Sequence, residues 1–395
     1  MAIMLLLLLF VSLAFSIELK DAIRLSLENS PYVKGLYAER LLYQAKSLSY
    51  RAGLNPSLSF EVGNFGTNKE SFPKSPLYGI TYTQPFLPPS LFRLTGEAYQ
   101  LHNRYLDYKV KMEGNKIAHE VYLLFYQALY YKELLKVLEE ELKLQRDLKA
   151  FIEKSYSLGE IPKLDVFRWQ RETELLQGEK EIIYAKYRSL LSELSVLVGK
   201  KVEDVEGDLK APVWHEFDLD KSPFMEYYRG MEEVINKFLQ VERNLAKPLY
   251  TFSLTAEKVA DREYGVRMGI SVSLPVFYGR QAEILDLTAQ RQSLVAEREN
   301  QKLRAIAQID SAKSQYTALL REVERIEREL LPQADQELAL AIKSYKLRAI
   351  GILELSQTKK AYYELLKRRL ELLLQAHNEY AKGIVYGGAL WCGCY

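Results

Sequence analysis

The side chains that carry nucleophilic, redox or metal chemistry are few in this sequence. Histidine occurs four times, at His102, His119, His215 and His377. His102 and His119 share no metal-ligand spacing with each other or with a nearby acid pair. Two cysteines, Cys392 and Cys394, fall in the last four residues, which excludes a disulfide framework and a zinc-finger array. There is no Walker-type phosphate loop, no G-x-G-x-x-G, no G-x-S-x-G elbow, no H-E-x-x-H and no C-x-x-C. Carboxylate pairs occur throughout, as any chain with 27% charged residues provides, so none of them points to acid–base catalysis. The reading is a protein without enzymatic activity and without a cofactor. Lys and Arg number 54 against 52 Asp and Glu, a net charge of +2, so no basic excess points to nucleic acid.

What the sequence does specify is architecture. An apolar content of 48% excludes a disordered chain, and only 20 Gly and 13 Pro favour long helices. Ala2 to Phe15 is apolar apart from Ser12. That run is too short for a membrane-spanning helix of about 20 residues but fits the core of a secretory signal. Ala14 and Ser16 put small residues where a signal peptidase reads. Residues 1–16 are therefore expected to be a signal peptide cleaved before Ile17. No cysteine stands there to carry a lipid anchor.

The remaining chain is written twice. Pro85 and Pro275 each close an alternating stretch, at an offset of 190 in the numbering. Ser155-Tyr156-Ser157-Leu158 returns as Ser344-Tyr345-Lys346-Leu347, at an offset of 189. A seam with spacings of four and three runs Ile117, Val121, Leu124, Ala128, Tyr131, Leu135, Leu138, Leu142. It is matched position by position, at an offset of 188, by Ala305, Ile309, Ala312, Tyr316, Leu319, Val323, Ile326, Leu330. Such seams mean coiled-coil-like packing.

The first repeat, 17–198, reads as helix 18–52, strands 57–64 and 77–86, long helix 90–158 and return helix 163–198. A connecting segment, 199–218, precedes the second repeat, 219–382. That repeat reads as helix 219–246, strands 249–257 and 264–276, long helix 280–347 and return helix 352–382. Residues 383–395 form a C-terminal tail. The 90–158 helix is roughly 100 Å long at 1.5 Å per residue, and helices 18–52 and 163–198 end to end nearly match it.

Four segments alternate between apolar and polar residues. Leu58, Phe60 and Val62 interleave with Ser57, Ser59 and Glu61; Tyr78, Ile80 and Tyr82 with Gly79, Thr81 and Thr83. Tyr250, Phe252 and Leu254 interleave with Thr251, Ser253 and Thr255; Val266, Met268, Ile270, Val272 and Leu274 with Arg267, Gly269, Ser271 and Ser273. Their length suits a tilted strand crossing an outer membrane. The polar faces suit a wet lumen, with Glu61, Thr81, Thr251, Arg267 and Ser271 as lumen-facing candidates. Four strands do not close a barrel, and open edges in lipid leave backbone groups unpaired at several kcal/mol each. Chains must therefore pool strands, three giving 12 and four giving 16.

Over essentially the whole mature chain the sequence resembles the TolC-like outer-membrane efflux protein family. The resemblance rests on Leu19-Lys20-Asp21-Ala22, Asn29-Ser30-Pro31 and Gly53-Leu54-Asn55-Pro56-Ser57-Leu58. It extends through Ser271-Val272-Ser273-Leu274-Pro275-Val276-Phe277 and the duplicated halves. It implies a mainly α fold with a small β part: a duplicated long-helix coiled-coil barrel, plus four transmembrane strands per chain that make a 12-stranded barrel in a homotrimer. The implied place is the outer membrane, with the helical barrel in the periplasm. The implied role is a passive export duct for efflux or secretion, working with a periplasmic adaptor (membrane-fusion) protein and an inner-membrane pump.

By the same resemblance the helical turns form an adaptor-docking tip. The matching residues are Ser155, Tyr156, Leu158, Gly159, Glu160 and Ile161, and Ser344, Tyr345, Leu347, Arg348, Ile350 and Gly351. Arg348 stands where Gly159 aligns, and the glycine comes later, at 351. Acidic residues narrow the pore in the family, and Asp165 and Glu354 each lie six residues beyond these aligned positions. Gln357 stands where some members carry a further acid. A secreted or periplasmic coiled-coil scaffold or adaptor would explain the heptads but not two pairs of lipid-length strands.

Overall fold

The computed structural model describes residues 16–51, 54–64, 76–259 and 263–387. The expected signal peptide, apart from Ser16, lies outside the described residues, as does the tail from residue 388. The chain runs β1 (Ser16–Glu18), α1 (Leu19–Asn29), α2 (Pro31–Arg51), β2 (Ser57–Asn64), β3 (Pro76–Phe86), α3 (Pro89–Ser157) and α4 (Lys163–Val198). It continues with β4 (Asp204–Glu206), α5 (Pro223–Leu245), β5 (Leu249–Val259), β6 (Glu263–Ser273), α6 (Gln281–Arg325), α7 (Leu331–Lys346) and α8 (Ile352–Gly387). A 3₁₀ turn, Leu219–Lys221, precedes α5, and a π-helical turn, Ile326–Leu330, joins α6 to α7.

Several elements differ from expectation for local reasons. Helix 18–52 is split at Ser30-Pro31. Pro31 has no N–H to continue a helix, and the Ser30 hydroxyl caps α2 by accepting from the Val33 N–H (3.3 Å). The expected 264–276 strand ends at Ser273, ahead of Pro275, which has no N–H for a ladder. The 352–382 helix does not stop at Gly383. It continues to Gly387, and Gly383 is small because the Phe217 ring would lie 2.5 Å from a Cβ there. The connecting segment 199–218 carries a strand: β4 pairs in parallel with β1, Ile17 opposite Val205.

The chain forms two compact units that cut across the sequence repeats. The first contains residues up to 34, 111–223 and from 303 onward; the second contains 35–110 and 224–302. In the first unit the seam faces inward, with Val121, Ala128, Leu138, Ala305, Ala312, Tyr316, Val323 and Ile326 all buried. One core cluster joins Ile17 and Val205 to Tyr122, Phe125, Leu194, Tyr380 and Ile384. A second is built on Leu138, Ile183, Ile326 and Leu373, and a third on Leu148, Ile152, Trp169, Tyr345 and Leu355. Full burial of side chains this size contributes about 1.5–3 kcal/mol each before conformational entropy is set against it.

In the second unit Leu91, Leu94, Ala98 and Val241 form one cluster, and Tyr228, Ile235, Leu239 and Leu294 another. The rest is one antiparallel sheet in the order β2-β3-β5-β6. Among the described residues no helix is long and apolar enough to cross a membrane.

Candidate functional site

The register of the sheet sorts its residues onto two faces. Ser59, Thr81, Thr255 and Arg267 stand opposite one another in one row; Glu61, Gly79, Glu257 and Gly265 form the next. Thr251 pairs with Ser271 on this same polar face. Thr81 Oγ1 and Thr255 Oγ1 are 3.0 Å apart, and Arg267 donates to Glu257 (2.6 Å). The five residues expected on a lumenal face therefore share one face, joined by Glu257, which reading the sequence did not single out. The other face carries Leu58, Phe60, Ile80, Tyr82, Val266, Met268 and Ile270, and all of them are exposed. Phe60 and Ile270 are 70% and 77% exposed. So wide an apolar face is foreign to a protein surface in water.

The two helical turns of the first unit are built alike. After α3, the Gly159 N–H donates to the Tyr156 carbonyl and the Glu160 N–H to the Ser155 carbonyl (2.9 Å each). After α7, the Arg348 N–H donates to the Tyr345 carbonyl (3.0 Å) and the Ala349 N–H to the Ser344 carbonyl (2.9 Å). Both are Schellman closures, with φ of +73° at Gly159 and +64° at Arg348. Arg348 holds a left-handed conformation that costs a side-chain-bearing residue roughly 1–2 kcal/mol. Its guanidinium donates to the Glu160 carboxylate, so the departure from glycine links one turn to the other. Gly351 lacks a positive φ and precedes α8.

These turns bring the expected tip residues together around a cavity of about 360 Å³ lined by Ser155, Glu160, Ile161, Asp165, Tyr345, Arg348, Ile350, Gly351 and Glu354. Leu158 and Leu347 project into solvent at equivalent places, 61% and 71% exposed. Tyr156 is exposed whereas its counterpart Tyr345 is buried. Burial, followed by the charge of Asp165, raises the pKa of the Tyr345 phenol. Asp165 and Glu354 occupy the same place in the first turns of α4 and α8 but have different partners. Asp165 pairs with Arg168 (3.4 Å), whereas Glu354 accepts from the Gly351 N–H (3.1 Å) and so helps cap its helix. Gln357 is exposed one turn along α8.

Above the tip lies a polar layer that the sequence reading missed. The Lys359 side chain is fully buried. Its Nζ lies 2.7 Å from Glu172, 3.7 Å from the buried Glu141, and over the Trp169 ring. Lys367 adds Glu179 at 2.8 Å and Glu141 at 4.0 Å. Burial pushes the Glu141 carboxyl up, against the pull of both lysines. A lysine one turn beyond Ile352 and Leu355 on an inward-facing helical stripe was the available signal. Among the described residues no group of three His, Cys, Asp or Glu side chains could hold a metal.

The fold is that of several solved outer-membrane channel proteins. Solved structures that match it include CusC, described in terms of its folding and transmembrane channel formation. That match has a TM-score of 0.76 at 14% identity, over 93% of this chain and 92% of that one. The outer membrane protein VceC of Vibrio cholerae gives a TM-score of 0.75 at 15% identity, over 94% of this chain and 96% of that one. The open state of the outer membrane channel MtrE of Neisseria gonorrhoeae gives 0.72 at 15% identity, over 94% and 88%. No protein-family model and no curated protein sequence matches the chain. At these identities the likeness establishes the fold, which is mainly helical with a small β part, as the sequence implied.

Proposed function

We propose that this protein is a passive export duct of the outer membrane, assembled from three copies, that releases small molecules or secreted cargo delivered by an inner-membrane pump through a periplasmic adaptor. The observation that carries this reading is the sheet, one face apolar and exposed, the other polar and bearing Glu61, Thr81, Thr251, Arg267 and Ser271. Within the described chain β2 and β6 are the sheet's edges. Lipid demands closure of such edges, and three copies supply 12 strands. The fold shared with solved outer-membrane channels supports the same reading.

In this reading the paired turns dock the adaptor through Leu158 and Leu347 and the residues around them. Asp165 and Glu354, repeated by threefold assembly, set rings of negative charge that favour cations at a constriction, with Gln357 neutral behind them. Planar-bilayer conductance of detergent-purified protein tests the reading. Wild type is expected to give a small, steady, cation-preferring conductance, and Glu354→Gln to weaken that preference. A stable water-soluble protein that never inserts overturns the duct.

A further inference from the structure

A cleft between α3 and α4 has the make-up of a binding site that the duct reading leaves unused. Its volume is about 470 Å³, and all of it lies within the first unit. That is room for much more than a single water. Gln145 of α3 and Trp169 of α4 line the cleft, and both are buried, at 1% and 3% exposure. Neither polar atom of the Gln145 amide has a hydrogen-bond partner in the protein, and neither has Trp169 Nε1. Buried polar groups are ordinarily paired, so unmet groups from two helices in one cleft call for an occupant.

The rest of the lining fixes the chemistry of that occupant. Arg146, Lys149 and Arg171 face the cleft, against Glu153 and Glu174. Lys149 and Glu153 pair with each other along α3 (3.8 Å), whereas Arg146, Arg171 and Glu174 make no ion pair among the described residues. Two free guanidiniums thus stand against one free carboxylate, a balance that favours an anion. A guanidinium fits a carboxylate in a two-point contact, and the Trp169 and Gln145 N–H groups add donors beside it. An anion with acceptors alone would still leave Gln145 Oε1 and Glu174 unmet, because both can only accept. The ligand must therefore carry a donor of its own. The Thr173 hydroxyl is not free to supply one, since it donates to the Trp169 carbonyl (2.9 Å).

We propose that this cleft binds a small carboxylic acid with a hydroxyl or amino group next to its carboxylate. The carboxylate accepts from Trp169 Nε1, the Gln145 amide and the guanidinium of Arg146 or Arg171. The adjacent hydroxyl or ammonium donates to Gln145 Oε1 and Glu174. A ligand so held ties α4 to α3 and stabilises the folded chain by mass action. The site needs the first unit alone and stands whether or not the protein is a duct.

Isothermal titration calorimetry of the full-length protein in detergent tests it, with glycolate and glycine as probes and acetate and sulfate as controls. Glycolate or glycine is expected to bind saturably, one per chain, at least tenfold more tightly than either control. Gln145→Leu should abolish binding and melt no lower than wild type, because it removes an amide that has no partner to lose. Arg171→Gln, an exposed position, should weaken binding several-fold and leave the fold intact. Fluorescence locates the ligand: with Trp214→Phe and Trp391→Phe only Trp169 emits, and its emission should shift on binding. No saturable binding of either probe overturns the site. So does equal binding of acetate or sulfate, binding that survives Gln145→Leu, or binding that leaves the Trp169 emission unmoved. A Gln145→Leu variant that melts well below wild type gives that amide a structural role and overturns the proposal as well.

Discussion

His377 ties three segments of the first unit, and its burial favours the neutral ring there. A carbonyl can only accept, so Nε2–H donates to the Lys210 carbonyl (2.7 Å), while Nδ1 accepts from the Tyr122 hydroxyl (2.7 Å). The ring also stacks on Tyr126, with centroids 3.5 Å apart. Burial lowers its pKa from 6.5 to about 4, against the opposing effect of the Lys210 hydrogen bond. Between these two values the unfolded chain binds a proton that the folded chain refuses. Stability is therefore full above about pH 6.5 and falls as the pH drops towards 4. The slope approaches 1.4 kcal/mol per pH unit and the total is about 3 kcal/mol. His377→Gln keeps a donor and an acceptor but does not titrate. It should be less stable than wild type by about 1–3 kcal/mol at pH 7.5, through the lost stack and one lost hydrogen bond.

That wild-type advantage should shrink with acid by about 2.5 kcal/mol down to pH 4.5, and so vanish or reverse by that pH. His102, also lowered to about 4 by burial, is present in both proteins and cancels in the difference. Urea unfolding followed by helical circular dichroism, from pH 7.5 to 4.5, measures it. A gap that stays constant to within about 0.5 kcal/mol across that range refutes the argument. So does a histidine-resolved NMR titration that finds His377 ionising near pH 6.5.

Three further outcomes are expected. Gly159→Ala should lower stability by about 1–2 kcal/mol through backbone strain alone, since nothing lies within 4 Å of the added Cβ, whereas Gly351→Ala, at an ordinary φ, should stay within about 0.5 kcal/mol of wild type. Paired denaturation curves decide between the two sites. Lys359→Met removes the buried cation that pairs with Glu172 and should cost about 3–5 kcal/mol, with Glu141→Gln in the same chain recovering part of the loss; no recovery would mean that Glu141 is not part of that layer. Ile270→Lys on the apolar sheet face should reduce membrane-inserted protein several-fold, at about 2–4 kcal/mol per lysine in mid-bilayer, while Ser271→Lys next to it on the opposite face should insert normally. Equal insertion of the two variants, measured by membrane fractionation, would remove the lipid-facing assignment.

What was legible in the sequence was whatever repeats with a period. Alternation placed Phe60 and Ile270 on one face and Glu61 and Ser271 on the other because a strand has no other option. The seam residues Val121, Ala128, Ala312 and Tyr316 were found because spacings of four and three leave one helical stripe. What escaped notice was non-periodic. The three-residue strand β1 is too short to show a pattern, and its partner Asp204–Glu206 lies in a loop-like stretch. The Lys359 layer breaks the apolar pattern, and a single lysine on a charged helix reads as solvated until its burial is known. Gly383 reads as a stop because chain order gives no sign of the Phe217 ring beside it.

One irregularity was written in the sequence as a mismatch of numbers. The seams repeat at an offset of 188 and the Ser-Tyr turns at 189, so one residue enters the second half between them. The π-helical turn Ile326–Leu330 is where it enters. Leu138 and Ile326, matched at the smaller offset, are both buried, and beyond the turn Ile152 and Ala341, matched at the larger one, are both buried. In an unbroken α-helix one added residue would rotate everything after it by about 100° and carry Ala341 and Tyr345 off the core. A π turn takes up the residue by widening locally. The stripe then stays in phase, and Arg348 arrives at the left-handed position that Gly159 holds in the first half. The one-residue step between repeats is therefore the condition under which both turns close alike and Arg348 reaches Glu160.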